Sequence, residues 1–306
     1  MRKISLKNAV HLASVAFANE KKEYKRKQQW KVLYYTVLHP KFASRWFSYL
    51  KSDDFAEIVA YRPKIYIKPF RVYMSTRWTQ EQRVKVIRNS YRFILSKGEL
   101  FKQVLYNKYT ELARISLSES VTGLFILGYD NKYRKEGELV ISFECKEMGG
   151  VIASAAFAFE EQQAGCWICR IGCVQGNRLL KNDVLKAMQK MWNGMRPKAL
   201  IVFAVQEFAR QLGFSALYGA GDSIQAYRKK HAIHIQRFHA ISFDYDALWN
   251  EIGGQPNNEG WYKLPLTLVR KEKDEIKTHK RALYRRRYQQ LDELSLKIAD
   301  FVEKMH

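Results

Sequence analysis

Apolar and polar positions alternate most regularly between Glu138 and Tyr227, and the period of the alternation predicts the order of elements there. Leu139, Ile141, Phe143 and Cys145 alternate with Val140, Ser142 and Glu144, as in a strand. Gly149-Gly150 supplies a turn, the small apolar run from Val151 to Phe159 follows as a hairpin partner, and Cys166 to Val174 reads as a third strand. At Gly176-Asn177 the period changes. From Asn182, a candidate N-cap, Val184, Leu185, Met188, Met191 and Trp192 fall at helical spacing, and that helix stops at Arg196-Pro197. Pro197 suits the first turn of a second helix that runs through Leu212 and ends at Gly213. Ala216 to Gly219 then reads as a short strand leading into the loop Gly221-Asp222-Ser223. The same periods predict a core of Ile141, Phe143, Phe157, Ile171 and Leu217 under helices that carry Leu185, Met188, Ile201 and Phe208.

The flanks are read more coarsely. Residues 1–38 are helical and basic, His39-Pro40 breaks the pattern, and Lys41 to Tyr61 continues as a helix on Phe42, Trp46, Phe47, Leu50 and Phe55. Pro63 and Pro69 bound an extended connector, and Thr79 with Glu81-Gln82 opens a helix through Ser96. Phe101 to Leu117 is read as another helix, and Ser118 to Tyr129 as a loop and strand. Near the end, Tyr284, Tyr288, Leu291, Leu294, Ile298 and Phe301 step by threes and fours and predict one buried stripe on a terminal helix. The expectation is an α+β fold with a mixed or antiparallel central sheet. A basic helical region over 1–117 precedes an α/β core over 118–306, as a separate unit or as part of one continuous domain.

Charge sharpens the picture. The formal net charge is +23, and residues 1–108 hold 24 basic against seven acidic side chains, so +17 of it lies in the first third. A regional positive field points to an anionic partner, a membrane surface, a phosphorylated small molecule or, with less support, nucleic acid. Aromatic and basic residues interleave there as in single-strand binders, yet no nucleic-acid motif accompanies them, and aromatics buried on one helix face account for the pattern more simply. Four cysteines in 306 residues do not resemble a secreted disulfide scaffold. Cys166, Cys169 and Cys173 with Cys145 have the ligand types of a zinc site, but the strand-like Trp167-Ile168 leaves no turn between them. Cys169 and Cys173 are expected to share a strand face and fill core, and no metal is expected. His231, His234 and His239 lack a carboxylate to complete a metal pattern. Arg2-Lys3 with the mild apolar run Ala9–Ala18 imitates a leader peptide, but His11 and Ser14 interrupt it and an amphipathic helix fits better. No run approaches the ~18 apolar residues of a membrane span. A cytoplasmic protein, or one peripheral at the inner membrane, is expected.

The most specific text lies late in the chain: Phe243-Asp244-Tyr245-Asp246-Ala247-Leu248-Trp249, Glu251-Ile252-Gly253-Gly254, Gly260-Trp261-Tyr262-Lys263-Leu264-Pro265-Leu266 and residues 280–292. Together with Arg196-Pro197-Lys198-Ala199-Leu200, Gly172-Cys173-Val174-Gln175-Gly176, His39-Pro40 and Trp46-Phe47, it resembles the VirK/YbjX family of bacterial proteins over roughly residues 39–300. The resemblance implies a link with virulence, envelope stress in Gram-negative bacteria and tolerance of antimicrobial peptides, and it implies no particular reaction.

The central order of strands and helices resembles the core of GNAT-type acyltransferases, which implies an acyl-coenzyme A donor whose pyrophosphate rests on a helix N-terminus. Gln175, Gly176 and Asn177 are the matching cofactor-binding candidates, although the family's Q-x-x-G-x-G/A spacing is lacking and Asp183 would repel a phosphate. Acyl transfer needs a base and an acid: Glu144 or Glu160 for the first, Tyr218 or Tyr227 for the second. The competing reading is a non-enzymatic peripheral protein that binds anionic lipid or envelope precursors. Arg281, Arg285, Arg286 and Arg287 are anion-binding candidates, because bases at a helix N-terminus oppose its dipole and local stability does not explain them.

Overall fold

Eight strands form one sheet among the described residues, in the order β1-β2-β3-β4-β5-β6-β8-β7. They are β1 (Thr110–Ser118), β2 (Val121–Gly128), β3 (Leu139–Cys145), β4 (Gly150–Gln163), β5 (Cys166–Gly176), β6 (Ala216–Ala220), β7 (Gln255–Pro256) and β8 (Trp261–Leu264). The computed structural model describes residues 2–106, 109–227 and 243–305. The chain divides into two units, one of residues 1–73 with 78–85, the other of residues 74–77 with 86–306.

The first unit is helical: α1 (Arg2–Ala16), α2 (Lys22–Leu38), α3 (Pro40–Tyr49) and α4 (Asp53–Tyr61). The basic stretch 1–38 is helical as expected, in two helices, whereas Lys41–Tyr61, expected as one helix, is divided between α3 and α4. Pro40 takes the first turn of α3, where its missing N–H costs nothing. Pro63–Phe70, expected to be extended, is a 3-10 run instead. Proline's fixed φ suits that helix as well as an extended chain, and burial decides between them: Ile65, Tyr66 and Phe70 are buried, and the Trp46 indole donates to Tyr66 O at 2.8 Å. Helix α5 (Gln80–Leu95) starts in this unit on a capping box, with Thr79 N donating to Gln82 Oε1 at 2.8 Å and Gln82 N to Thr79 Oγ1 at 3.3 Å.

In the second unit, α6 (Glu99–Lys102) precedes the sheet. Residues 110–117, read from sequence as part of a helix, belong to strand β1. A bulge between Glu111 and Ala113 buries Leu112, Ala113 and Ile115, and that spacing imitates a helical face. The meander β3-β4-β5 is antiparallel, and α7 (Asn182–Met191) and α8 (Pro197–Gln211) lead from β5 to β6, which pairs with it in parallel. After β6 come α9 (Tyr245–Glu251), the β7-β8 hairpin and α10 (Arg281–Glu303). The N-cap of α7 is Lys181, not Asn182. The expected core residues Ile141, Phe143, Phe157, Ile171, Leu217, Met188, Ile201 and Phe208 are all fully buried, while Leu185 is half-buried. Leu291, Leu294, Ile298 and Phe301 of α10 are buried as the stripe required, and Tyr284 and Tyr288 are half-buried. Among the described residues, no helix is long and apolar enough to cross a membrane.

Candidate functional site

The site is created by a bulge. On β4, Ala156 and Phe157 are consecutive and point to opposite faces, yet their partners on β5 are Cys173 and Ile171, so Gly172 is the extra residue. Cys173 therefore leaves the face that carries Cys169, and the two do not share a face as expected. Gly172 has to be glycine: a Cβ there would lie 1.9 Å from Glu136 O. At Gly137 a Cβ would lie 2.5 Å from Phe157 N and O. Close backbone approach at these two positions lays Glu136 across the sheet beside Cys173.

Glu136 is 2 % exposed, and its carboxyl shares a hydrogen bond with the Cys173 thiol. Its Oε2 has no hydrogen-bond partner among the described residues. Burial raises its pKa to about 7, although Cys173, Lys135 and Lys132 pull the other way. Burial, reinforced by Glu136, holds the Cys173 thiol well above its usual range. Burial is also the first cause at three tyrosines: it raises Tyr133, raises Tyr227 to about 12, and raises Tyr245. Glu136 adds to all three, so four groups with perturbed proton affinity surround one buried carboxyl. Ser154, in turn, is a hydrogen-bond partner of Tyr133 and lies 2.9 Å, Oγ to Oγ, from Ser142 on the neighbouring strand.

Next to this group the sheet opens. Strand β5 pairs with β6 only from Ile168 to Ile171, opposite Ala216 to Gly219, and then runs on to Gly176 paired with β4 but not with β6. In the gap the Tyr245 hydroxyl donates to Val174 O at 3.1 Å and accepts from Val174 N at 3.3 Å. It takes the hydrogen bonds that a continued β6 would have made. At the end of β5, Lys198 lies beside Gly176, with its Nζ 3.2 Å from the centre of the Phe243 ring. Burial and then the neighbouring Arg178 and Arg196 lower the Lys198 pKa to about 8. Arg196 is ion-paired with Glu251.

The residues singled out from sequence lie in several places. Tyr227 and Gln175 are beside Glu136 and Cys173, and the Gln175 amide points to Cys173 Sγ at 3.9 Å. Glu160 is ion-paired with Arg170 at 2.6 Å, and that guanidinium lies over the Tyr218 ring at 5.0 Å and the Trp261 ring at 4.8 Å. Glu144 is half-buried on β3, opposite Leu124. Asn177 ties its loop to β4, its amide donating to Val151 O and its N–H to Ile152 O. Of the arginines, Arg281 donates to Ile276 O and Arg287 to Asn193 O, the latter lying over Tyr284 at 4.3 Å. Arg285 and Arg286 are exposed. Glu136, Tyr133 and Tyr245 were missed in the sequence. The available signal was Gly172 inside an apolar strand, which marks a bulge. The histidines His231, His234 and His239 lie outside the described residues.

Residues 21–300 match the family described as a protein of unknown function, DUF535. The chain belongs to that family. It is 26% identical over 281 residues, 90% of this chain and 84% of the other, to the Escherichia coli K12 protein named Uncharacterized protein YbjX, in agreement with the VirK/YbjX motifs. Two uncharacterized proteins of Haemophilus influenzae are 32% identical over 126 and 116 residues, covering 41% and 38% of this chain and 40% and 38% of theirs. No solved structure matches. In this DUF535 chain the late motifs bear on the gap directly: Asp244–Trp249 carries Tyr245 and starts α9 on an Asp244 side-chain cap, while Trp261–Leu264 is β8.

Proposed function

We propose that the protein is a GNAT-like acyltransferase that takes an acyl-coenzyme A donor between β5 and β6, with Glu136 as the general base. The observation that carries the reading is strand order: an antiparallel meander, one parallel pair that parts after four residues, then an antiparallel hairpin. In the GNAT architecture the donor's amide arm fills the opening between such a parallel pair. The residues here fit that arm, because Val174 N and O form a donor–acceptor pair that the Tyr245 hydroxyl occupies and would free by withdrawing. Lys198 and Arg178, close to Gly176, would meet the pyrophosphate. Gln175 and Gly176 border that place, whereas the Asn177 side chain is already engaged.

When bound, the donor would supply an activated thioester carbonyl. Glu136, with a proton affinity near neutrality, takes the proton from an amine or hydroxyl acceptor as it attacks. Tyr227, half-open to solvent and beside Glu136, returns a proton to the departing sulfur. The test is a thermal-shift titration with acetyl- and long-chain acyl-coenzyme A, followed by an assay of thiol release with amine acceptors. Stabilisation by an acyl-coenzyme A, kept in Glu136→Gln while thiol release is lost, is the expected result. No stabilisation by any acyl-coenzyme A at millimolar concentration would end the proposal.

A further inference from the structure

Helix α2 is built inside out. Its buried residues are Gln28, Val32 and Thr36, two of them polar, and they step by four along one side. The Gln28 amide oxygen accepts from Arg71 at 2.7 Å, and the Thr36 hydroxyl donates to Val32 O at 2.7 Å, so the buried face is fully used. The opposite side carries Trp30, Tyr34, Val37 and Leu38, at positions i, i+4, i+7 and i+8, and they are 72%, 62%, 66% and 52% exposed. A helix at rest in a globular protein has the reverse arrangement, and four large apolar residues in one row are not scattered surface hydrophobics. Toward the N-terminus that same exposed face carries Arg26 and Lys27 with the single acid Glu23.

We propose that this face of α2 docks on an anionic lipid surface, with Trp30, Tyr34, Val37 and Leu38 entering the interfacial layer and Arg26 and Lys27 among the headgroups. The combination is that of an interfacial helix, aromatic and aliphatic on the inserted side and cationic at the edge. Charge argues for lipid over the other occupants. A second copy would add its own Arg26 and Lys27 to the interface with only Glu23 to offset them, and a nucleic acid would leave Val37 and Leu38 without a partner. The inference rests on α2 alone and stands or falls separately from acyl transfer.

The full chain is tested by flotation with vesicles of phosphatidylcholine alone and of phosphatidylcholine mixed equally with phosphatidylglycerol. Binding to the mixed vesicles only is expected. Trp30→Ser/Leu38→Ser should weaken that binding by about tenfold or more, since each side chain gives up apolar burial. Arg26→Gln/Lys27→Gln should weaken it most at low salt and least at high salt. All four side chains are exposed, and circular dichroism and thermal melts are expected to match those of the unaltered chain. Failure of the unaltered chain to float at low salt, or flotation of both variants like the unaltered chain, overturns the proposal. So does light scattering that shows Trp30→Ser/Leu38→Ser breaking a dimer with vesicle binding unchanged, or an oligonucleotide that binds and loses affinity in both variants while vesicles do not bind.

Discussion

Replacing Glu136 by glutamine should change how stability depends on pH, and by an amount set by burial. The carboxyl is 2 % exposed and its pKa is raised from 4.5 to about 7. The folded protein therefore holds this proton more tightly than the unfolded chain does. Its contribution to stability is complete below the unfolded pKa, falls as pH rises through the interval, and is gone above the folded pKa. At about 1.4 kcal/mol per pKa unit the whole effect is about 3 kcal/mol. Most of it lies between pH 5 and 8. Glutamine has no proton to lose and keeps the size of the carboxyl, so the variant should lack this component while sharing every other titration. Urea unfolding of both proteins across that range should give a difference that grows by about 2 kcal/mol or more toward pH 8, in favour of the variant. Amide exchange on β5 should report the same difference from within the second unit. Parallel profiles for the two proteins would mean that Glu136 ionises in the fold like a solvated acid, and the reasoning about its proton affinity would be wrong.

Three further outcomes follow from the geometry. Glu160→Gln should cost about 3 kcal/mol in chemical denaturation because it removes the carboxylate paired with the nearly buried Arg170 guanidinium, and Glu160→Leu/Arg170→Met should restore much of the loss; equal losses in both would refute an ion-pair origin. Gly172→Ala should lower the melting temperature strongly, since its Cβ would lie 1.9 Å from Glu136 O, a conflict that only a backbone shift of residues 136–138 relieves; a melt unchanged from the parent would deny the close approach. Arg287→Gln should destabilise by about 1 kcal/mol through its lost bond to Asn193 O and its contact with Tyr284, whereas exposed Arg285→Gln should stay within about 0.5 kcal/mol of the parent, both read from urea midpoints.

Where period alone determines structure, the sequence was readable. Ile141, Phe143, Phe157, Ile171 and Leu217 sit on one face of the sheet because β3, the first half of β5 and β6 keep strict alternation, and Met188, Ile201 and Phe208 sit over it. Bulges defeated the same reasoning. One at Glu111–Ala113 made β1 look helical, and the one at Gly172 moved Cys173 to the face opposite Cys169. The candidate site depends on that second displacement. Tyr227 and Gln175 were legible as polar residues beside the expected strands, but Glu136 lies in the turn before β3, where no period speaks. Only the folded chain brings it against Cys173. The four-residue extent of the β5–β6 pair was equally hidden, since it depends on a tyrosine 71 positions from Val174.

The other buried acids of the second unit indicate why Glu136 stands apart. Glu138, two residues on and 1 % exposed, accepts from the Tyr91 hydroxyl at 2.7 Å. Glu207, 4 % exposed, accepts from the Arg210 guanidinium at 2.8 Å and from the Ser295 hydroxyl. Glu160 has Arg170. Each of these carboxyls is met by a strong donor, the usual condition for keeping an acid out of water. Glu136 meets only a thiol, itself a weak donor, and one of its oxygens meets no donor among the described residues. Glutamine has nearly the same volume and would escape the ionisation cost. A fold that satisfies these other buried carboxyls leaves this one poised near neutrality beside the gap between β5 and β6, which is the position the proposed acyl transfer asks of its general base.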